Sequence, residues 1–270
     1  SPPISPILGA PSTTHYRNKM EFTFTNKRYL LTEEMHVEGE KDMDGLGFHI
    51  PGKFNKVLDL NACHLQDTRA NTIRLFAKSF TKSHGMTYFD LKDQHGMMRN
   101  LIIRNTNADE WMVIVVFKED APELREALLS AIKKEFPWIT SLQYVINIKR
   151  NDTIHDQEPI VYHGRPYIIE QLENLKFIVG PKSFFQTNST QALNLYRITR
   201  EYAGLTGNEI VYDLYTGTGT IAAFMAASAK KVIGIEYVPE AIEDAIQNAK
   251  LNSILNTQFF AGDMKQAGNY

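Results

Sequence analysis

The stretch that decides the fold is Glu209-Ile-Val-Tyr-Asp-Leu-Tyr-Thr-Gly-Thr-Gly-Thr220. Its apolar and β-branched part, residues 210–214, predicts a buried strand. The glycines that follow, Gly217 and Gly219, predict a sharp turn, because glycine adopts backbone angles that other residues avoid. Small and apolar residues from 221 to 229 predict a helix. A strand, a glycine turn and a helix form the first half of a βαβ unit, and the helix N-terminus offers free N–H groups to a ligand.

Two classes of ligand use such a turn. The spacing Gly217-x-Gly219-x-x-Ala222 fits the dinucleotide fingerprint, which is typical of nicotinamide-dependent dehydrogenases. The other class is S-adenosylmethionine, which has no phosphate. Asp213 stands four residues before the first glycine and favours this second class. A carboxylate there would repel a pyrophosphate, but it can accept hydrogen bonds from the ammonium group of the methionine part.

Two further acids follow predicted strands. The segment 231–236 ends in Glu236, a carboxylate that can accept from both hydroxyls of a ribose, which either ligand class would supply. The segment 257–261 leads into Asp263, which can accept from an adenine amino group. Together with Asp213 these acids favour the methyl donor. The alternative is that all three are ordinary carboxylates at strand ends.

The composition limits the class of protein. The chain has 270 residues, a formal net charge of −2 and 43% hydrophobic residues, so a globular protein without an overall basic field is expected. No apolar run approaches the ~20 residues of a membrane span. A single cysteine, Cys63, excludes an internal disulfide and fits a cytoplasmic location. The eight histidines are scattered, which predicts no metal site.

The order of the predicted elements indicates two domains. Residues 1–180 mix strands of an antiparallel sheet with helices at 66–83 and 122–136, an α+β layer. In this part we expect residues 27–31 to pair with the first strand, residues 32–45 to form a loop, and strands at 167–172 and 177–179 to continue the sheet. From residue 181 to 270 the order becomes α-β-α-β-α-β, with the first helix capped by Asn188, which implies a parallel sheet.

Several motifs in this order resemble one family. The C-terminal half contains Ser183-Phe-Phe-Gln-Thr-Asn188, Asp213-Leu-Tyr-Thr-Gly-Thr-Gly-Thr220, Gly234-Ile-Glu236 and Ala245-Ile-Gln-Asn-Ala-Lys-Leu-Asn252. The N-terminal half contains Tyr16-Arg-Asn-Lys-Met20, Leu46-Gly-Phe48, Cys63 and the segment Gly164 to Glu170. With these motifs the chain resembles the RNA 5-methyluridine methyltransferases, bacterial enzymes that methylate uridine C5 in ribosomal and transfer RNA, and most closely the 23S ribosomal RNA type.

The resemblance implies a fold and a set of cofactor residues. The fold would be an antiparallel α+β central domain, which binds RNA, followed by the first half of a doubly wound class I S-adenosylmethionine-dependent methyltransferase domain. The cofactor residues would be Gln186, Asp213, Tyr215, Gly217, Gly219, Thr220, Glu236 and Asp263. Family members often have asparagine where this sequence has Thr220, although a hydroxyl can also donate and accept.

The resemblance also implies what the chain lacks. In the family a cysteine thiolate adds to uridine C6 and a base removes the C5 proton, and both groups would lie beyond Tyr270. We therefore expect a fragment that binds S-adenosylmethionine weakly or not at all and has no methyltransferase activity. Cys63 resembles the fourth ligand of an iron–sulfur cluster, whose other ligands would precede Ser1, so a cluster is expected only in a longer parent. A small buried apolar side chain is the alternative interpretation of Cys63.

Two surfaces are expected to meet partners. Arg17, Lys19 and Arg28 lie among aromatic residues, a pattern that can contact RNA phosphates and stacked bases, although a solvated sheet face has the same pattern. RNA is the expected partner, ribosomal rather than transfer RNA, and a non-catalytic RNA-binding module is an alternative function. Residues 210–214 would lie on an open sheet edge, through which this chain could self-associate.

Overall fold

The computed structural model describes residue 4, residues 6–263 and residue 265, and its contacts divide the chain into two units. The central unit comprises Asn18–Ile168 and Gly180–Lys182. The glycine-loop unit comprises Ser1–Arg17, Ile169–Val179 and Ser183–Tyr270. Compared with a boundary at residue 180, residues 1–17 and 169–179 thus group with the second unit rather than the first.

The central unit is built on a seven-stranded sheet with the order β3-β2-β1-β4-β5-β6-β7. Neighbouring strands are antiparallel except β5 and β6, which are parallel and are joined through helix α3. The predicted antiparallel sheet is therefore mixed. The elements are β1 Lys19–Thr25, α1 Thr32–Met35, β2 Gly45–Ile50, β3 Lys53–Asp59, α2 Thr68–Ser83, β4 Met98–Asn105, β5 Trp111–Phe117, α3 Pro122–Glu135, β6 Ser141–Ile146 and β7 Ile160–Gly164.

One apolar core of this unit lies between one face of the sheet and helices α2 and α3. Alternate residues of β1, such as Phe22 and Phe24, point into it, and the residues between them point to the other face. Helices α2 and α3 cover this core with apolar stripes that include Ile73 and Leu128. The two helices could be predicted from the sequence because their apolar residues recur at helical spacing on the buried face.

Three local predictions in the first 180 residues were wrong. Residues 27–31 do not pair with β1, since Arg28 makes an isolated parallel bridge with Val57 instead. The segment 32–45 contains the short helix α1, which turns where Glu34 bonds back to the Leu31 N–H. Strands β8 Ile168–Leu172 and β9 Leu175–Val179 form a separate two-stranded sheet. Their apolar residues pack with helices α4 and α5 rather than with the central core.

The glycine-loop unit contains the predicted parallel sheet, with the order β10-β11-β12. Its remaining elements are α4 Ser189–Ala203, β10 Ile210–Leu214, α5 Thr220–Ala226, β11 Lys231–Glu236, α6 Pro239–Leu251 and β12 Thr257–Ala261. The predicted cap of α4 is confirmed, because the Asn188 side chain accepts a hydrogen bond from the Gln191 amide. This alternation of helices and parallel strands is the beginning of a doubly wound fold.

Strand β10 is less buried than its composition suggests. It pairs with β11 and is the edge strand of the described sheet, as predicted. Ile210, Tyr212 and Leu214 are 54%, 50% and 47% exposed, so the prediction of a buried strand was wrong. Apolar residues allow a strand to be buried, but whether it is buried depends on the elements that cover it. No helix in the described part of the chain is long and apolar enough to cross a membrane.

Candidate cofactor site

The three acids predicted from strand ends lie along one edge of the parallel sheet. Leu214 pairs with Ile235, and Glu236 pairs with Ala261, so the strands end in register. Because adjacent strands lie about 4.8 Å apart, the positions at the ends of β10, β11 and β12 are neighbours. Asp213, Glu236 and Asp263 therefore lie near one another at the carboxyl edge of this sheet, the edge at which ligands bind to open α/β sheets.

The loop after β10 has an unusual backbone. Tyr215, Gly217 and Gly219 have positive φ angles of 61°, 54° and 76°. Glycine adopts this left-handed region at little cost, but tyrosine seldom does. The Tyr215 side chain is 75% exposed, so it does not pack into the core of this unit. A strained residue with an exposed ring beside a glycine loop is a typical arrangement at a ligand site.

Asp213 fastens this loop to helix α5. Its Oδ2 accepts hydrogen bonds from the Thr216 hydroxyl at 2.6 Å and from the Ala222 amide at 3.0 Å. Its Oδ1 accepts no hydrogen bond from the described residues, so this oxygen remains for a ligand donor. Burial raises the pKa of Asp213 above its ordinary value, and the two hydrogen bonds oppose that rise.

The position of Asp213 bears on the choice between the two ligand classes. Its carboxylate occupies an N–H group in the first turn of α5, where a dinucleotide would place its pyrophosphate. A second negative group there would be repelled, whereas a cationic ammonium group would be attracted. The local geometry thus favours a ligand with a positive charge near the glycine loop.

Glu236 links the ends of the strands to the loop. Its Oε2 accepts from the Gly217 amide at 3.2 Å, and its Oε1 accepts from the Val238 amide at 3.1 Å. Each oxygen has a second lone pair that can accept from a ribose hydroxyl. The Gly262 amide donates to the Glu236 carbonyl at 2.9 Å and holds the end of β12 beside it, while the side chain of Asp263 is exposed.

Asn248 on α6 supports the loop from beneath, and sequence reasoning missed its role. This side chain is 1% exposed. Its Nδ2 donates to the Thr218 carbonyl at 3.0 Å, and its Oδ1 accepts from the Ile178 amide at 2.8 Å. A polar residue on the buried face of α6, between Ala245 and Ala249, was the signal that could have revealed it.

Gly234 in β11 makes room beneath the same loop. A Cβ atom at this position would lie 2.5 Å from the Phe259 ring and 2.9 Å from the Thr216 hydroxyl. No side chain fits there unless Phe259 or the loop moves. The glycine is therefore required by the close approach of the loop to the sheet.

Two predicted cofactor residues are placed differently from the rest. Thr220 is 9% exposed, and its hydroxyl lies 3.3 Å from that of Thr218, so it faces the protein. Gln186 lines a separate cavity of about 410 Å³ beside α4, together with Asn188 and Leu195. The other predicted cofactor residues do not line that cavity. Gln186 therefore shares a unit with the glycine loop without contributing to the same pocket.

Two of the predicted RNA-binding residues, Lys19 and Arg28, do not lie in one basic cluster. Lys19 lies on β1 opposite Arg104, while Arg28 lies beside β3, two strands away in the sheet. The guanidinium of Arg28 is already engaged by Glu34, with nitrogen–oxygen distances of 3.0 and 2.8 Å. Arg17 belongs to the other unit.

Cys63 is buried in the central unit. Its backbone N–H and C=O are both bonded to the side-chain amide of Asn71, at 2.8 and 2.9 Å. Among the described residues no group of three or more histidine, cysteine or acidic side chains could hold a metal ion. One thiol cannot hold an iron–sulfur cluster, so the described residues do not fit one on their own.

Comparison with known proteins shows which proteins this chain is similar to. Residues 205–269 match the family described as "Methyltransferase domain". A protein of Porphyromonas gingivalis named an uncharacterized RNA methyltransferase is 59% identical over 268 residues, which are 97% of this chain and 58% of the relative. A protein of the same name from Bacteroides thetaiotaomicron is 54% identical over 268 residues, 98% of this chain and 59% of the relative. This chain is a homologue of these RNA methyltransferases. It spans somewhat more than half the length of the curated relatives it matches.

A solved structure has a similar fold to this chain. The Pyrococcus abyssi tRNA (uracil-54, C5)-methyltransferase, solved with S-adenosyl-L-homocysteine, matches with a TM-score of 0.73 and 24% identity, covering 94% of this chain and 57% of that one. This likeness shows that the chain has the fold of an S-adenosylmethionine-dependent methyltransferase. The predicted fold class is thereby confirmed.

Proposed function

We propose that the protein to which these 270 residues belong transfers a methyl group from S-adenosylmethionine to C5 of a uridine in RNA. The observation that carries the cofactor assignment is the Asp213 carboxylate, whose Oδ2 accepts from the Ala222 amide of α5 while its Oδ1 accepts no hydrogen bond from the described residues. The RNA methyltransferase relatives and the fold of the uracil-C5 enzyme support the substrate and the atom.

The residues of this chain would bind and orient the cofactor. Asp213 Oδ1 would accept from the ammonium group, Glu236 from the ribose hydroxyls and Asp263 from the adenine amino group. Tyr215 and the two loop glycines would contact the cofactor, because the loop backbone projects at the sheet edge. When bound, S-adenosylmethionine supplies an electrophilic methyl group on a sulfonium.

Methylation at uridine C5 requires a thiolate and a base. A thiolate would add to C6 and make C5 nucleophilic toward the methyl group that the cofactor supplies, with S-adenosylhomocysteine as the other product, and a base would remove the C5 proton as the thiolate leaves. The one cysteine of this chain, Cys63, lies in the central unit and is 6% exposed. We assign no residue of this chain to either role.

Calorimetric titration of the full-length protein tests the cofactor assignment. S-adenosylhomocysteine should bind and NAD should not, because the pyrophosphate of NAD would meet Asp213. Binding of NAD alone would favour the dehydrogenase alternative. Binding of neither ligand, together with binding of RNA, would favour a non-catalytic RNA-binding module.

Incubation of the full-length protein with labelled S-adenosylmethionine and purified RNA tests the substrate. Digestion of the RNA to nucleosides should give labelled 5-methyluridine, and 23S ribosomal RNA should accept more label than transfer RNA. Label in any other nucleoside would contradict the assignment to uridine C5. Label confined to transfer RNA would contradict only the choice of RNA.

The apolar edge of β10 supports a further proposal about self-association. Ile210 and Tyr212 are about half exposed on the edge strand of the described sheet. A polypeptide of these 270 residues should sediment as a dimer or larger species, and Tyr212→Lys should shift it toward the monomer. A wild-type monomer at all concentrations would refute this proposal.

A further inference from the structure

The central unit contains a cavity of about 410 Å³ that the proposed cofactor site does not use. All its lining residues belong to this one unit. It is large enough for a nucleotide-sized ligand. The lining residues that matter here are Thr23, Phe54, Phe89, Arg99, Asn100 and Arg150.

A bulge in β4 directs two consecutive side chains into this cavity. Met98 pairs with Phe117 and Asn100 pairs with Val116, so Arg99 is an extra residue in the ladder. A bulge of this kind turns neighbouring side chains toward the same side of a strand. Both Arg99 and Asn100 therefore line the cavity, although regular alternation would send them to opposite faces.

These two side chains bring buried polar atoms without partners. Asn100 is 2% exposed, and its Nδ2 donates to the Thr23 hydroxyl at 3.3 Å while its Oδ1 has no partner in the described part of the chain. Arg99 is 1% exposed, and its Nε likewise has no partner there. A buried acceptor and a buried donor thus lack partners among the described residues, and such groups are rarely left unsatisfied. The edge of a nucleobase presents donors and acceptors side by side.

The wall that carries Arg99 is held rigidly. The two terminal nitrogens of its guanidinium donate to the carbonyls of Asn147, Lys149 and Arg150 at 2.7–3.0 Å. The Asn147 side chain in turn donates to the carbonyls of Asn151 and Thr153, both at 3.1 Å. The segment beside the cavity is therefore fixed before any ligand arrives, which lowers the entropy cost of binding.

The mouth of the cavity carries an aromatic side chain. Phe54 is 70% exposed, so its apolar ring lies in contact with solvent instead of with other side chains. Phe89 lies deeper, with the Arg99 guanidinium 4.7 Å from its ring centre. Proteins that bind single-stranded RNA stack unpaired bases on such rings and guanidinium planes. Exposed Arg150 at the rim could meet a phosphate, although Asp152, also at the rim, disfavours a ligand rich in phosphates.

We propose that this cavity binds one unpaired nucleobase of the RNA substrate, at a position other than the methylated uridine. The base would stack on Phe54 and form hydrogen bonds with Asn100 Oδ1 and Arg99 Nε. Lys19 lies four residues before Thr23 on the same side of β1, so the strand connects the cavity to a predicted phosphate contact. The inference rests on the proposed function for its choice of RNA as ligand.

The test compares Phe54→Ala and Asn100→Leu in the full-length protein with Ile148→Ala, a control at a 73% exposed apolar residue outside the cavity lining. The probe is a fluorescent single-stranded RNA of mixed sequence, measured by anisotropy. Phe54→Ala should weaken RNA binding about five- to a hundredfold, the range for loss of one base-stacking aromatic side chain. Phe54→Ala should keep the melting temperature and the affinity for S-adenosylhomocysteine, because Phe54 is exposed, and Ile148→Ala should bind RNA like the wild type.

A cross-linking experiment gives a second readout that does not depend on folding of the variants. RNA containing 5-iodouridine should cross-link under ultraviolet light to peptides that include Phe54 or Phe89. Unchanged RNA affinity in both variants, or cross-links only to other peptides, would overturn the cavity assignment. Loss of uridine monophosphate binding in Phe54→Ala with RNA binding intact would also overturn it, in favour of a free nucleotide.

The methyl-transfer assay separates this inference from the proposed function. If Phe54→Ala loses RNA affinity in a protein that transfers no methyl group, the cavity assignment holds and the proposed function fails. If the wild type methylates RNA and neither variant alters RNA affinity, the proposed function holds and the cavity assignment fails.

Discussion

Replacement of Asn248 by alanine should weaken both the fold of the glycine-loop unit and its cofactor site. The side chain is 1% exposed and satisfies the Thr218 carbonyl and the Ile178 amide. Asn248→Ala removes the side-chain partner of both backbone groups, at a cost of about 1–3 kcal/mol each. We expect the free energy of unfolding to fall by about 2–6 kcal/mol in total, because the costs of the two lost partners add.

The effect on the cofactor has a separate physical cause. Thr218 lies inside the loop between Gly217 and Gly219, so a freed carbonyl lets the loop shift relative to Asp213 and Glu236. We expect the affinity for S-adenosylhomocysteine to fall about tenfold or more, since a displacement of one loop group removes about 1.4 kcal/mol or more of binding. Denaturant unfolding and calorimetric titration of the full-length protein measure the two quantities.

Asn252→Ala is the matched control, one turn further along α6. Asn252 bonds the backbone N–H and C=O of Lys176 at 2.8 and 2.7 Å, but it lies at a less buried position and does not contact the glycine loop. The Asn252→Ala variant should lose less stability than Asn248→Ala and should keep its affinity for the cofactor. Equal losses of affinity in the two variants would refute the role of Asn248 as a positioning residue for the loop.

Three further predictions concern the same site. Glu236→Ala should lower the affinity for S-adenosylhomocysteine about ten- to a hundredfold in a calorimetric titration, because it removes charge-assisted hydrogen bonds worth about 1.5–3 kcal/mol. An unchanged dissociation constant would place the ribose elsewhere. Gly234→Ala should lower the melting temperature, because its methyl group would lie 2.5 Å from the Phe259 ring, and a variant that melts like the wild type would show that this ring relaxes freely. Burial raises the pKa of Asp213. The side chain is therefore ionised above that raised pKa and becomes protonated as the pH falls through it. Affinity titrated toward acid pH should therefore drop at a higher pH than for an ordinary exposed aspartate, and Asp213→Asn, which starts weaker, should lack this drop.

The local sequence determined much of the glycine-loop unit. Strand β10 and the Asn188 cap occur where they were predicted, because each depends on residues close together in the chain. The predicted alignment of Asp213, Glu236 and Asp263 follows from the parallel order, since successive parallel strands end at the same edge of the sheet. These features could be predicted from the βαβ pattern without the tertiary structure.

Tertiary structure alone decided the features that depend on distant partners. The burial of β10 depends on which strands and helices flank it, and strands β8 and β9 changed units because their apolar side chains pack against α4 and α5. Asn248 became a support for the loop through contacts with residues 30 and 70 positions away. The cavity at Asn100 exists because a bulge in the ladder between β4 and β5 overrides the alternation of side chains, and a bulge is set by the partner strand rather than by the local sequence.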